Sequence, residues 1–311
     1  MSRVADALAR AGAKRPFGTS PTDPAAADLF PTEGAAPEVV EASEVDFQSE
    51  AERKPVRPVP PPSGRSQAVQ RPEQGSRWTS EPKIRYRNAF REDLLEKLAI
   101  ENGAQGAVVE EFRKLAATLH HAQGVHRLKT VMVTSASSGE GKSLTTVNLA
   151  LTLSNSYRRR VLLIDADLRK PTIHDIFQVQ NSAGLLTFLK NGSERSVPGI
   201  EVSPRLIVMP SGGVSADPIG LLTSAALRQL LEEAAQAFDW VLMDTPPAAI
   251  LPDCNLLAPS VDGALLIIDA FNTPHPMAVK AIEAVGREKI LGVVFNHAEH
   301  NPSNYKYGKS Y

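Results

Sequence analysis

Residues 130–144 read Thr-Val-Met-Val-Thr-Ser-Ala-Ser-Ser-Gly-Glu-Gly-Lys-Ser-Leu, and this stretch decides the fold. It joins a short apolar run, typical of a buried strand, to a glycine-containing turn and then to the helical pattern Leu144–Ser154. Gly139 and Gly141 allow the backbone to curl so that its N–H groups point inward. The N-terminus of the following helix adds the positive end of its dipole. The stretch therefore predicts a phosphate-binding loop between a strand and a helix.

The spacing of this loop matches the pattern G-x-x-x-x-G-K-[ST], except that Ala136 stands in place of the first glycine. Lys142 is expected to reach the β- and γ-phosphates of a nucleotide, and the Ser143 hydroxyl is expected to bind Mg²⁺. A glycine-rich turn with an incidental lysine would share part of the pattern, but the flanking strand and helix favour Mg-ATP. The predicted nucleotide-binding residues of the loop are Ser138, Gly139, Glu140, Gly141, Lys142, Ser143 and Leu144.

Beyond the loop, continuously apolar runs alternate with helical patterns. Runs of this kind are typical of strands buried on both faces, as in a parallel sheet covered by helices. We predict an α/β fold with a doubly wound, mostly parallel sheet of the P-loop NTPase type. The predicted strands are Thr130–Thr134, Val161–Ile164, Leu206–Met209, Trp240–Met243, Ala264–Ile268 and Ile290–Phe295, and the predicted helices after the first are Pro218–Ala237, Pro252–Leu257 and Met277–Gly286.

Two further helical patterns precede the first strand. Asn88–Ile100 and Val108–His121 each carry apolar side chains on one face, and Asn102-Gly103 separates them. Earlier residues differ in composition, since 12 of the 24 prolines lie before residue 83 and long apolar runs are rare there. Such a stretch cannot bury enough apolar surface to offset its ordering entropy. We predict a flexible proline-rich leader over residues 1–87, a folded domain over 88–298 and a tail over 299–311.

Composition limits the classes of function. A formal net charge of −1 argues against wholesale nucleic-acid binding, so no nucleic acid is expected as a partner. One cysteine, Cys254, excludes an internal disulfide. No stretch has the 18 or so consecutive apolar residues of a membrane span, and no secretory signal precedes the domain. The expected location is the cytoplasm.

Three carboxylates follow two of the predicted strands. Asp165 and Asp167 come at the end of Val161–Ile164, and Asp244 ends Trp240–Met243. In an open parallel sheet the carboxyl ends of the strands form the edge at which ligands bind. Aspartate is also an ordinary turn residue after a strand. Together with the loop, however, the set predicts Mg-phosphate chemistry, in which carboxylates hold the metal and accept a proton.

At this point the sequence resembles the bacterial tyrosine kinases, or BY-kinases, which act in capsule and exopolysaccharide synthesis. Gly-Glu-Gly-Lys-Ser at 139–143 is similar to their Walker A motif, and Leu-Leu-Ile-Asp-Ala-Asp-Leu-Arg-Lys-Pro at 162–171 to their Walker A′ motif. Asp-Thr-Pro-Pro at 244–247 is similar to their Walker B motif. The resemblance spans about residues 105–298 and implies an ATP-dependent protein-tyrosine kinase, a phosphotransferase.

The resemblance also implies roles for single residues. Lys142 is expected to bind phosphate as a catalytic residue, Asp165 to activate the acceptor tyrosine, and Asn296 to lie near the nucleotide base. The predicted metal-binding residues are Ser143, Asp167 and Asp244, with Asp167 also counted as catalytic. The competing hypothesis is a spatial-organising ATPase of the partitioning or septum-site type without kinase activity. Such ATPases carry an extra lysine early in the loop, where this chain has Ser137, and the difference favours the kinase.

The last eight residues hold three of the five tyrosines, Tyr305, Tyr307 and Tyr311. BY-kinases phosphorylate their own C-terminal tyrosine cluster, so the resemblance implies autophosphorylation here. The tail also starts close to the predicted nucleotide edge of the sheet and can extend on the order of 50 Å. A polar tail with scattered aromatic residues is the alternative interpretation.

The implied partners follow from the same resemblance. They are a membrane adaptor of the polysaccharide co-polymerase type that regulates chain length, further copies of this chain, and a protein-tyrosine phosphatase. The adaptor would hold a stand-alone cytoplasmic kinase at the inner face of the membrane. Glu110 and Arg113 fit the Glu-x-x-Arg-x-x-Arg helix through which BY-kinase subunits pack into rings, whereas Ala116 replaces the second arginine. The size of any ring is therefore left open.

Overall fold

A seven-stranded sheet organises the part of the chain that this computed structural model describes, namely residue 78 and residues 90–98, 106–191 and 197–298. The strands are β1 Thr130–Ser135, β2 Val161–Asp165, β3 Ile200–Ser203, β4 Leu206–Met209, β5 Trp240–Asp244, β6 Gly263–Asp269 and β7 Ile290–Asn296. Their order is β3-β4-β2-β5-β1-β6-β7. All neighbours pair parallel except β3 and β4, which are antiparallel.

The six predicted strands are confirmed, and the central ones are buried on both faces as the continuous apolar runs indicated. Every residue of β1, β2 and β5 is buried. The prediction missed β3, one of the two edge strands. Only Val202 of its four residues is buried, so it lacks the continuous apolar run that the other strands share.

Helices cover both faces of the sheet. They are α1 Gly106–His126, α2 Lys142–Asn155, α3 Ile173–Ile176, α4 Leu185–Asn191, α5 Ile219–Leu222, α6 Ala225–Ala237, α7 Asp253–Leu257 and α8 His275–Val285. Apolar residues of α1, α2 and α3 belong to the core on one face, and those of α4 to α8 belong to the core on the other. This arrangement confirms the doubly wound α/β fold.

Two helix predictions need correction. The pattern Pro218–Ala237 is not one helix, because the chain leaves α5 at Thr223 and starts α6 at Ser224. The Ser224 hydroxyl accepts the N–H of Leu227, so this serine caps a new helix. Within Asn88–Ile100, the described residues 90–98 contain a 3-10 helix, Glu92–Lys97, rather than an α-helix.

The helix predicted over Val108–His121 extends to His126 as α1. Glu110 and Arg113 lie exposed on it, 3.8 Å apart between charged atoms. Ala116 is fully buried under the helix, so this position faces the domain core and not a neighbouring molecule. The described residues therefore present Glu110 and Arg113, but no third ring-motif side chain, on the surface of α1.

The division into leader, domain and tail stays a prediction, since residues 1–77 and 299–311 lie outside the described part. Trp78, within the predicted leader, packs its ring edge against Phe238 at 5.3 Å between ring centres. Among the residues that are described, none of the helices is long and apolar enough to cross a bilayer.

The strand ends bring the predicted site residues together. Asp165 at the end of β2 is the register partner of Asp244 at the end of β5. Strand β1, which leads into the glycine loop, lies between β5 and β6, and Asn296 ends the adjacent β7. The carboxyl edge of the sheet therefore carries the loop, the carboxylates and the start of the C-terminal segment.

Candidate active site

The glycine loop connects β1 to α2 without a side-chain cap. Gly139 and Gly141 have φ values of 87° and 83°, in the left-handed region that favours glycine. Gly141 directly precedes Lys142, the first residue of α2, so the first N–H groups of the helix are left for a ligand. Ser138 and Gly139 are exposed at the tip of the loop, while Leu144 is half-buried.

Lys142 bridges two of the carboxylates. Its Nζ lies 3.1 Å from Asp167 Oδ2 and 3.4 Å from Asp244 Oδ2. Ser143 donates its hydroxyl hydrogen bond to Asp244 Oδ2 at 2.6 Å. Burial alone would lower the pKa of Lys142, but the charges of Asp244 and Asp167 outweigh it and raise this pKa. The lysine therefore stays charged in the resting site.

Asp165, like Asp244, is fully buried. Its Oδ2 accepts the backbone N–H groups of Thr172 and Ile173 at 3.1 and 3.0 Å. The Asp167 N–H donates a hydrogen bond to Oδ1 of Asp165 at 3.3 Å. Burial raises the pKa of Asp165 to about 8; the charge of Asp244 adds to the rise, while the Ile173 N–H opposes it. Asp165 can therefore hold a proton near neutral pH.

The donor set fits Mg²⁺ together with a polyphosphate. Hard oxygen ligands from Ser143, Asp167 and Asp244 converge next to Lys142, and Mg²⁺ prefers one or two carboxylates plus phosphate oxygens and water. Burial also raises the pKa of Asp244, while Lys142 and Ser143 counteract part of that rise. A divalent cation would compensate the excess negative charge of three buried carboxylates beside one lysine.

We expect Asp165→Asn to change how the stability of the nucleotide-free chain depends on pH. Because the folded pKa lies near 8 and the ordinary value is 3.8, the folded state binds this proton more tightly than the unfolded state. The favourable contribution of this carboxyl group to the stability of the folded chain is complete below about pH 4 and is lost as the pH rises through 8. Thermal melting in EDTA should show that the melting temperature of the variant rises relative to that of wild type as the pH increases. The difference should be on the order of 5 °C at pH 8.

The control is Asp217→Asn, the same change at an exposed side chain. Its melting curve should run parallel to wild type from pH 5 to pH 8. If the melting temperatures of Asp165→Asn and wild type also changed in parallel with pH, that result would contradict the raised pKa of Asp165.

Arg169 and Asp253 form an ion pair beside the site that the sequence did not reveal. Arg169 Nε and Nη2 donate to Asp253 Oδ2 and Oδ1 at 2.9 and 3.0 Å, and Nη1 donates to the Ala216 carbonyl at 3.2 Å. Asp253 is fully buried at the start of α7. The pair ties the Asp165–Asp167 turn to α7, so it sets the position of that turn relative to β5.

A second network, also missed, holds the loop from the other side. Asn296 donates from Nδ2 to the Glu140 carbonyl at 2.9 Å, so it contacts the loop, and its place near the nucleotide base stays a prediction. Thr273 donates its hydroxyl hydrogen bond to a carboxylate oxygen of Glu140. The Asp269 carboxylate lies 2.8 Å from His297 Nδ1, and together with other hydrogen bonds this contact lowers the pKa of Asp269. These partners are far apart in sequence and leave no local pattern.

A cavity of about 460 Å³ opens over the glycine loop and Lys142. Lys142, Ser143 and Asp167 contribute polar groups to its wall, and Pro246 and Pro247 form an apolar side. Ile250 lines the rim and is 56% exposed. The cavity therefore offers a charged floor for phosphate and an apolar rim for a flat or aromatic group. The predicted phosphorylation sites, Tyr305, Tyr307 and Tyr311, lie outside the described residues.

The glycine loop leads through lysine and serine into a helix, and it faces carboxylates at the carboxyl edge of a parallel sheet. This arrangement defines a P-loop nucleotide-binding protein. The family model ParA, described as NUBPL iron-transfer P-loop NTPase, matches residues 127–306. That match covers more than half of the chain and confirms the P-loop NTPase class.

Relatives identify the branch of this class. The chain is 38% identical over 191 residues to tyrosine-protein kinase YwqD of Bacillus subtilis (strain 168), covering 60% of this chain and 80% of that protein. It is 32% identical over 189 residues to tyrosine-protein kinase CpsD of Streptococcus agalactiae, covering 58% of this chain and 82% of that protein. The chain therefore belongs to the bacterial tyrosine kinase family, which confirms the kinase interpretation over the spatial-organising ATPase.

Solved structures agree with this assignment. The chimerical protein CapA2B2 superimposes with a TM-score of 0.60 at 27% identity, covering 68% of this chain and 93% of that one. The kinase domain of the Escherichia coli tyrosine kinase ETK gives a TM-score of 0.59 at 26% identity, covering 74% of this chain and 87% of that one.

Proposed function

We propose that this chain is the tyrosine autokinase of an exopolysaccharide system, and that it transfers the γ-phosphate of Mg-ATP to tyrosines 305, 307 and 311 of its own tail. The observation that carries the proposal is Lys142 held between Asp167 and Asp244 beside the buried Asp165. The family assignment supplies the tyrosine as acceptor. A succinoglycan biosynthesis transport protein of Rhizobium meliloti, ExoP, is 35% identical over 181 residues and supports the link to polysaccharide synthesis.

The loop and Lys142 would bind the donor. Free N–H groups at the start of α2 and the Lys142 ammonium would receive the β- and γ-phosphates of ATP. Ser143, Asp167 and Asp244 would hold Mg²⁺, which when bound neutralises charge on the transferring phosphate. Lys142 would exchange its contacts with Asp167 and Asp244 for contacts with phosphate oxygens, and thereby stabilise the negative charge that moves towards ADP.

Asp165 would act as the base. The tyrosine hydroxyl oxygen forms a bond to the γ-phosphorus, the bond from that phosphorus to the β,γ-bridging oxygen breaks, and ADP leaves with the bonding electrons. The hydroxyl proton would pass to Asp165, which a bound Mg²⁺ nearby would hold in the ionised form that accepts a proton. The backbone N–H groups of Thr172 and Ile173 fix this carboxylate at the floor of the site, so its orientation does not depend on the substrate.

The tail leaves the sheet at the correct edge for this reaction. Strand β7 ends at Asn296, next to β6, and Asn296 contacts the loop directly. Fifteen residues follow it and can extend on the order of 50 Å. That length reaches the site of the same molecule or of a neighbour. A tail of this length would bring a tyrosine acceptor within reach of the site.

The regulatory setting is part of the same proposal. A membrane adaptor of the co-polymerase type would hold the kinase at the inner face of the membrane, and the likeness to the CapA2B2 chimera supports such a pairing. Self-association would bring a tail to a neighbouring site, and a protein-tyrosine phosphatase would reset it. Each phosphate adds nearly two negative charges, so accumulated phosphate should loosen contacts between subunits.

The test mixes two variants of the full-length chain with Mg-ATP and an adaptor fragment. A Lys142→Met chain keeps its tail but has no working site, and a Tyr305→Phe/Tyr307→Phe/Tyr311→Phe chain keeps its site but has no acceptor. Mass spectrometry is expected to find phosphotyrosine on the tail of the Lys142→Met chain only when the second variant is present. This result would show transfer between molecules.

Wild-type chain alone should carry phosphate at these same tyrosines. ATP hydrolysis without phosphotyrosine in the wild type, even with the adaptor fragment, would contradict the proposal. Phosphate on wild type but never on the Lys142→Met chain of the mixture would show transfer within one molecule.

A further inference from the structure

A buried carboxylate lies inside the glycine loop. Glu140 stands between Gly139 and Gly141, and only 4% of its surface is exposed. One of its carboxylate oxygens accepts the backbone N–H of Ser137 at 2.8 Å. The other accepts the hydroxyl of Thr273, 133 residues further along the chain. A negative charge so close to a phosphate site opposes anion binding unless it is held and compensated.

Thr273 is itself fixed from both sides. Its hydroxyl oxygen accepts the N–H of Asp269 at 2.8 Å and uses its hydrogen for Glu140. The Asp269 carboxylate in turn accepts the N–H groups of Phe271 and Asn272, both at 2.9 Å. The turn between β6 and α8 is therefore closed by its own hydrogen bonds, and it presents the Thr273 hydroxyl in one orientation.

The backbone of the loop is held at the same point. Asn296 donates to the Glu140 carbonyl at 2.9 Å. A Cβ on Gly141 would come within 2.1 Å of the Asn296 amide nitrogen, so the loop and the end of β7 are in direct contact. The side chain of Glu140 is thus held by the turn that follows β6, and its main chain is held by the end of β7.

We infer that Thr273 is a positioning residue for the nucleotide, and that it acts through Glu140 to fix the P-loop backbone whose N–H groups receive the phosphates. This inference rests on the proposed ATP site. Without the Thr273 hydroxyl, one oxygen of Glu140 loses its partner, and the side chain can turn towards the phosphates. Both the looser loop and the freed charge weaken nucleotide binding, whereas neither touches the attacking tyrosine or its base.

The test uses Thr273→Val, which exchanges the hydroxyl for a methyl group of similar shape, and Thr273→Ser, which restores the hydroxyl. Thr223→Val is the matched control, because Thr223 is exposed and also uses its hydroxyl, donating to the Ile219 carbonyl at 3.0 Å. Calorimetric titration with Mg-ADP and steady-state kinetics with ATP are measured for each full-length chain. Thr273→Val is expected to weaken Mg-ADP binding and raise KM about tenfold with kcat within about twofold. Thr273→Ser and Thr223→Val should stay close to wild type.

A double-mutant cycle with Glu140→Ala tests whether Thr273 acts through Glu140. The loss of Mg-ADP affinity in the double variant should be smaller than the sum of the two single losses, since both changes disable the same contact. Additive losses would overturn the route through Glu140. A lowered melting temperature of Thr273→Val with unchanged Mg-ADP affinity would overturn the inference by showing a merely structural contact. Absence of Mg-ADP binding in the wild type would overturn the ATP site and this inference with it.

Discussion

Lys142→Met is expected to abolish tyrosine phosphorylation, with a loss of at least about a thousandfold. The ammonium of Lys142 is the cation that lies between Asp167 and Asp244 in the described site. Methionine fills a similar volume but cannot bind phosphate. Quantitative phosphotyrosine analysis of the variant after incubation with Mg-ATP measures the loss directly.

The same substitution should also lower stability, and this second effect separates the two roles of the lysine. Without the ammonium, the buried Asp244 carboxylate keeps only hydroxyl donors such as Ser143, at 2.6 Å. Adding Asp244→Asn to Lys142→Met should therefore restore most of the lost melting temperature without restoring activity. Lys170→Met is the control, because Lys170 is exposed and lines the same cavity. Equal stability of Lys142→Met and wild type would contradict the electrostatic account.

The parts of this site that the sequence predicts are the ones encoded locally. The glycine loop lies within eight consecutive residues, and Asp165 and Asp244 directly follow apolar runs that end at one edge of a parallel sheet, with Asp167 two residues after Asp165. The apolar runs and the carboxylates at their ends are then enough to predict the site, because parallel strands bring their carboxyl ends together. The burial of Asp165 was not predictable in this way. It depends on the backbone at Thr172 and Ile173 folding back over the carboxylate.

Contacts between distant segments account for the rest. Thr273 meets Glu140 across 133 residues, and each lies in a stretch that by itself indicates an ordinary turn or loop position. Ser224 shows a different limit: it interrupts an apolar pattern that continues on both sides, and only its hydrogen bond with Leu227 reveals the break. Strand β3 was missed because its four residues, Ile-Glu-Val-Ser, alternate between apolar and polar and show no continuous apolar run.

Arg169→Met is expected to destabilise the chain by about 3 kcal/mol, the largest stability effect of the proposed substitutions. Asp253 is fully buried, and Arg169 contributes two hydrogen bonds to its carboxylate while remaining 26% exposed. Removal of the guanidinium leaves that carboxylate without a countercharge at the start of α7. Denaturant unfolding of the nucleotide-free chain measures the change in free energy.

Two comparison variants separate the buried charge from lost packing. Arg287→Met removes an arginine from an exposed pair, 3.7 Å from Glu283, and should change stability by less than about 0.5 kcal/mol. Adding Asp253→Asn to Arg169→Met removes the unpaired buried charge and should recover part of the lost free energy of unfolding. A double variant no more stable than Arg169→Met would show that the packing of the arginine stem, and not the ion pair, holds the Asp165–Asp167 turn against α7.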